Sequence, residues 1–240
     1  MILPRVLWQH IASWLQGDKA IIRLRATCRW LRRIEIHQLP RNMERHLTAD
    51  RLKTVVSLRH LNIRYHEWVT NEMIQKYTNL EWLDVQNTMI TWFPRTLRHL
   101  DICARSDITN EMLQNAFQLE WLDASYTNVT WFPSTLCYLR IFDRKDITNE
   151  MLQQVGTLEW LDASYTNVTW FPSTLRRLDI YQNKNVTNEM LQGCVQLEWL
   201  DASYTNITWF PRTLKYLRIF RHKYITDEML AHLVDCEIIR

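Results

Sequence analysis

Apolar positions along this chain follow two periods. From Leu58 onward the pattern LxxLxΦ, with Φ apolar, starts at Leu58, Leu80, Leu97, Leu119, Leu136, Leu158, Leu175, Leu197 and Leu214, and the spacings alternate between 22 and 17 residues. Apolar residues alternating with polar ones predict a short strand with one face buried and the other wet. In the 17-residue unit that begins at Leu119, the inward positions fall to Leu119, Leu122, Ala124 and Val129. In the 22-residue unit, Thr109 or Asn110 is placed to cap a helix with Glu111 in its first turn, and Met112, Leu113, Ala116 and Phe117 give that helix an apolar stripe. The shorter unit carries Trp131-Phe132-Pro133 at the corresponding place, which leaves no room for a helix and predicts an extended segment or tight turn.

Residues 1–39 lack this period. Their apolar positions Leu7, Ile11, Leu15, Ile21, Leu24, Cys28 and Leu31 recur mostly every 3 or 4 residues, the spacing of helices. Pro4 sits where a first helix begins, and Gly17-Asp18 breaks it and caps a second.

A longer repeat organises the rest. Thr70, Thr109, Thr148, Thr187 and Thr226 each open a Thr-Asn-Glu or Thr-Asp-Glu segment with a period of 39 residues, and segments 119–136 and 158–175 are identical. Periodicity this strict means stacked units, each contacting its neighbours, so the expected fold is an α/β solenoid. The LxxLxΦ units resemble leucine-rich repeats, with parallel strands on a concave face and alternating helix and extended segments on the convex one. Thr127 takes the place where that family often has an Asn or Thr ladder. The longer unit is similar to the cysteine-containing subclass, except that His66, Arg105, Arg144, Asn183 and His222 stand where a ladder Cys is expected. Cys236-Glu237-Ile238-Ile239-Arg240 is read as a replay of Leu-Glu-Trp-Leu-Asp.

Upstream, the order Leu3-Pro4, amphipathic helix, Asp18, second helix, then Cys28-Arg29-Trp30 with Arg32-Arg33, resembles an F-box. The expected organisation is an F-box-like helical module at 1–45 and repeats over 46–240. The F-box/leucine-rich-repeat resemblance implies a substrate-recognition subunit of a cullin-RING ubiquitin ligase, binding a Skp-type adaptor and presenting an unidentified target protein on the repeats. It makes Leu3, Pro4, Leu7, Ile11, Leu15, Ile21, Leu24, Cys28 and Leu31 candidates either for the adaptor interface or for the module's own small core. The competing reading is a free-standing interaction scaffold whose N-terminal helices only cap the array.

Composition narrows the classes. A chain of 240 residues with 47% hydrophobic and 23% charged residues, 12 Trp and only 3 Gly is not a disordered or collagen-like segment. Five Cys without a CxxC pair encode no zinc knuckle or disulfide framework. Met1 to His10 is broken by Pro4, Arg5, Gln9 and His10, unlike a secretory signal, and no uncharged apolar stretch approaches ~20 residues. The expectation is therefore a protein of the cytoplasm or nucleus with no membrane partner, and the NxT triplets at Asn128, Asn167, Asn185 and Asn206 are read as structural. Residues 1–68 hold 13 Lys/Arg against 5 Asp/Glu, but the arginines from Arg23 to Arg33 recur along an apolar-patterned helix, so a solvated face is favoured over nucleic-acid binding.

The third, fifth and seventh positions of each LxxLxΦ strand are expected on the concave, solvent-facing side. Short units then present Trp82, Asp84, Gln86; Trp121, Asp123, Ser125; Trp160, Asp162, Ser164; and Trp199, Asp201, Ser203. Long units present His99, Asp101, Cys103; Tyr138, Arg140, Phe142; Arg177, Asp179, Tyr181; and Tyr216, Arg218, Phe220. Aromatic and Arg side chains are the usual anchors of protein interfaces, so this face is the candidate substrate-binding surface. The alternative is that the Trp rings pack on one another along the ladder. His99, Asp101 and Cys103 lie in a row rather than converging on a point, and no HExxH, GxSxG or phosphate-loop motif occurs. No catalytic residue, metal ligand or cofactor is expected.

Overall fold

A computed structural model describes residues 47–54, 57–222 and 225–240. The F-box-like candidates between Leu3 and Leu31 lie outside the described residues. The chain forms two compact units, Met1–Ile90 and Thr91–Arg240.

In the first unit, helix α1 (Ala49–Thr54) precedes strand β1 (His60–Asn62), helix α2 (Asn71–Gln75) and strand β2 (Trp82–Asp84). The two strands pair in parallel, with His60 opposite Trp82. The buried Tyr77 hydroxyl donates to the Leu52 carbonyl at 2.6 Å, tying α1 to the turn after α2. Burial pushes that phenol well above its ordinary pKa.

The second unit repeats one motif: β3 (His99–Asp101), α3 (Asn110–Leu113), β4 (Trp121–Asp123), β5 (Tyr138–Arg140), α4 (Asn149–Gln153), β6 (Trp160–Asp162), β7 (Arg177–Asp179), α5 (Asn188–Gln192), β8 (Trp199–Asp201), β9 (Tyr216–Arg218), α6 (Asp227–Leu230) and β10 (Glu237–Ile239). Strands β3 to β10 pair in parallel in chain order. Long units supply the helices, and short units cross the convex side without one, as Pro133, Pro172 and Pro211 predict.

Every Leu of the LxxL pattern within β4 to β9 is fully buried, as are Ala124, Ala163 and Ala202, so apolar burial over one sheet face holds the array together. Leu113 and Ala116 join this core, whereas Phe117 is 47% exposed and is not part of the helix's buried stripe. The last strand also departs from the sequence pattern. Ile238, not Ile239, stands opposite Leu217, one residue out of the register expected from Cys236. The Ile239 carbonyl thereby accepts from the Ile219 amide at 2.9 Å.

Each strand from β1 to β9 runs into a turn whose tight residue has positive φ: Tyr65, Asn87, Ala104, Tyr126, Asp143, Tyr165, Gln182, Tyr204 and Arg221, with φ between 52 and 66°. None is Gly, although this region costs an L-residue about 1 kcal/mol. Local hydrogen bonding offsets that cost. The carboxylate at the fifth strand position accepts from the backbone amide two residues on, for example Asp123 from Ser125 at 2.9 Å and Asp162 from Ser164 at 3.0 Å. In the long units with Arg at this position, the serine of the preceding short unit does the work. Ser125 Oγ accepts from Phe142 N at 3.2 Å, and Ser203 Oγ from Phe220 N at 3.0 Å.

The long units' helices are tied down mainly by their Asn, not their Thr. Asn110 Oδ1 accepts from the amides of Thr130 and Trp131 at 2.8 and 3.0 Å, joining α3 to the convex segment of the next short unit. Asn149 and Asn188 repeat this with Thr169, Trp170 and Thr208, Trp209. Thr109 and Thr226 accept long capping bonds of 3.4 Å from Met112 N and Met229 N.

Candidate functional site

The row of residues at the third strand position is an unbroken line of aromatic and cationic side chains in the second unit: His99, Trp121, Tyr138, Trp160, Arg177, Trp199 and Tyr216. Their backbones are held by the fully buried Leu that follows each of them, so the row is set out at the strand spacing of about 4.8 Å. The rings pack along it. His99 stacks on Trp121 with centroids 3.8 Å apart, and Trp199 stacks on Tyr216 at 5.3 Å. The Arg177 guanidinium lies between two indoles, 5.6 Å from Trp160 and 4.0 Å from Trp199. Trp121, Trp160 and Trp199 are consequently half-buried, and Trp82 is half-buried as well, which corrects the expectation that they stand open to solvent. The concave aromatic row is present, and along it rings cover one another, as the packing alternative expects.

The fifth position is a second correction. Asp84, Asp123, Asp162 and Asp201 are buried, between 2 and 5% exposed, because each carboxylate turns into the bend that follows its strand. Gln86, Ser125, Ser164 and Ser203 are buried for the same reason. Arg140, half-buried, bridges Asp162 at 2.9 Å and Asp123 at 3.5 Å, and Arg218 reaches Asp201 at 3.5 Å. Among the described residues Asp179 forms no ion pair with an Arg. Burial, with Asp162 and then Asp201 as like charges, raises its pKa to about 6, although it accepts from Ser164 Oγ and Tyr181 N at 2.7 and 3.0 Å.

Beyond the strands, Tyr126, Phe142, Tyr165, Tyr181 and Tyr204 form a continuous staircase of rings with centroids 5.1 to 5.5 Å apart. Phe142 and Tyr181 were in the expected set. Tyr126, Tyr165 and Tyr204 were not, because they sit at the positive-φ turn, which an alternating strand pattern does not reach. Phe220, at the strand position of Phe142 and Tyr181, has the Arg218 guanidinium 5.1 Å from its ring centroid.

The places where a ladder Cys was expected carry a different device. Arg144 is only 2% exposed, and it donates to Ala124 O at 3.2 Å, Thr127 Oγ1 at 2.7 Å and Val129 O at 2.7 Å while paired with Asp146. Asn183 donates to Val168 O at 2.7 Å, and the His222 ring lies 3.2 Å from both Ala202 O and Thr205 Oγ1. Arg144 thus reaches two carbonyls of its preceding short unit, whereas Asn183 reaches only the equivalent of Val129 O and His222 only that of Ala124 O.

His99, Asp101 and Cys103 do not converge, and among the described residues no group of three His, Cys, Asp or Glu is arranged to hold a metal. No helix among the described residues is long and apolar enough to cross a membrane. The Cys194 thiol is pushed up to about 11 by burial, which marks it as core rather than reactive.

No protein-family model matches the chain, and no curated protein matches it in sequence. Among solved structures it is similar to a leucine-rich-repeat protein of Leptospira interrogans, with a TM-score of 0.55 and 18% identity over 86% of this chain and 58% of that one. The functional domain of InlJ from Listeria monocytogenes, which includes a cysteine ladder, gives 0.53 and 18% over 76% of this chain and 45% of that one. The chain spans less than two thirds of either protein. The fold is that of a leucine-rich-repeat protein.

Proposed function

We propose that this chain is a protein-interaction scaffold that captures a partner on the concave row. On this reading residues 1–45 couple it, through a Skp-type adaptor, to a cullin-RING ubiquitin ligase in the cytoplasm or nucleus. The observation that carries the capture is the line from His99 to Tyr216, in which Trp, Tyr and Arg side chains stand side by side on rigid strands. Such side chains dominate the energetics of protein interfaces, and here their ordering cost is already met by stacking. The ligase coupling is supported by the F-box resemblance of residues 3–33 alone.

Two measurements test the two halves. The full-length chain is titrated with a purified Skp-type adaptor, alongside a Leu7→Asp, Ile11→Asp variant checked for folding. Micromolar or tighter binding that the folded variant loses is expected. A well-folded wild type that does not bind reduces the N-terminal helices to a cap and leaves a free-standing scaffold. For the concave row, proximity labelling in cells compares the wild type with Trp121→Ala, Trp160→Ala. Partners that disappear in a variant whose circular dichroism is unchanged are expected, and an unaltered set refutes the face.

A further inference from the structure

The row contains one break in its own rule. In β7 the long unit places Arg177 between the indoles of Trp160 and Trp199. In β5, the equivalent strand one period earlier, Tyr138 stands between Trp121 and Trp160. Tyr138 makes no ring contact with either indole and is 42% exposed, whereas Tyr216, the same residue type one strand beyond Trp199, stacks on that ring. Trp121 and Trp160 are two strands apart, about 10 Å, the same separation as the pair that holds Arg177.

The charge around this gap is also out of balance. At the second strand position, Glu120 pairs with Arg98, while Glu198 pairs with Arg176 at 3.0 Å and with Lys215 at 2.9 Å. Glu159 has no ion pair among the described residues, because on the strand before it Cys137 occupies the place that Arg98 and Arg176 fill for Glu120 and Glu198, and on the strand after it Arg176 turns to Glu198. On the other side of the gap, the single cation Arg140 is shared between two carboxylates, Asp123 and Asp162. Burial, followed by the charges of Glu159 and Glu120, lifts the Cys137 thiol above its ordinary pKa, as expected in a locally negative field.

Resting on the concave-face reading above, we propose that the gap over Tyr138, walled by Trp121 and Trp160 and rimmed by Glu159, receives an arginine side chain of the partner protein. Arg177 is the chain's own template for that contact. A guanidinium stacks on indole faces and also satisfies a carboxylate in a planar fork, which neither an apolar residue nor an uncharged one can do at this position.

The test pans a displayed library of random 12-residue peptides on the full-length chain and synthesises the winners. Peptides that bind through an arginine are expected, with at least tenfold loss when that arginine becomes citrulline and the same loss in a Cys137→Arg protein, where a cation from the chain itself occupies the rim. Peptides that depend on Trp199, by a folded Trp199→Ala variant, but ignore both changes overturn the arginine slot and leave the face reading standing. Peptides that ignore every concave-face variant overturn both.

Discussion

Arg144 offers a direct test of what replaces the cysteine ladder. Its guanidinium is buried, and truncation to Ala strips the partner from one buried carbonyl, Val129 O, removes the second donor at Ala124 O, which keeps its bond from Thr127 Oγ1 at 2.8 Å, and removes one of the three bonds at Thr127 Oγ1. A buried carbonyl left without a partner costs about 1–3 kcal/mol, and the emptied space adds to that, so Arg144→Ala is expected to cost about 2–4 kcal/mol. Asp146 does not share this cost, because its side chain is 54% exposed and is rehydrated when the pair is lost. Arg144→Asn is the informative control. Asn183, one period on, reaches Val168 O at 2.7 Å, so the shorter amide is expected to recover the bond to Val129 and lose less than about 1.5 kcal/mol. Urea unfolding followed by circular dichroism gives the free energies, and hydrogen exchange at the amides of 124–146 shows whether the loss is local, as expected where each unit contacts only its neighbours. If Ala costs under about 1 kcal/mol, or Asn is no better than Ala, this column is not what satisfies the short units' carbonyls.

Other changes separate the remaining interactions. Asp179→Asn keeps an oxygen for Ser164 and Tyr181 while removing a charge whose folded-state pKa, about 6, lies above its ordinary value of 3.8. The contribution of that group is complete below pH 3.8 and is lost as pH rises through about 6, so the variant should be more stable than wild type at pH 7.5, by up to about 3 kcal/mol, with the difference vanishing near pH 4. Parallel urea titrations at the two pH values measure it, and an equal difference at both pH values refutes the assignment. Ala104→Gly, at an exposed turn with φ 60°, should raise the urea midpoint by the equivalent of about 0.5–1 kcal/mol, and a lower midpoint would show that the turn carries no strain. Asn149→Ala should cost about 2–4 kcal/mol by orphaning the Thr169 and Trp170 amides, whereas Thr148→Ala, at a helix start without a side-chain cap bond, should cost less than about 1; equal losses in thermal unfolding would restore Thr as the main anchor.

What could be read from the sequence was whatever repeats locally. The LxxLxΦ spacing located every strand from β1 to β9, and Pro133 and its equivalents located the helix-free crossings, because these depend on residues within one unit. The fate of charged residues could not be read in the same way. Asp123 looks solvent-facing by alternation, but its environment is made by Ser125 after the strand and Arg140 one strand over. Arg144 looks like a failed ladder position until the carbonyls of the preceding short unit are placed around it. Ile238 took the place expected of Ile239, a one-residue slip that an apolar pair conceals. The aromatic row was visible as a list of residues, while its mutual stacking depended on rotamers that the pattern does not carry.

The pairing of unlike units has a consequence for how this protein can change length. Arg144, Asn183 and His222 each belong to a long unit and reach back into a short one, and each helix Asn from Asn110 to Asn188 reaches forward into the next short one. Removing 39 residues between equivalent points leaves all of these partnerships intact at the new junction. Removing 17 or 22 sets two like units side by side, with a guanidinium facing a neighbour that offers no threonine, or an amide facing one that offers no free backbone. The array therefore grows and shrinks by whole pairs, and a lineage of such proteins should differ in reach by steps of about 10 Å along the sheet.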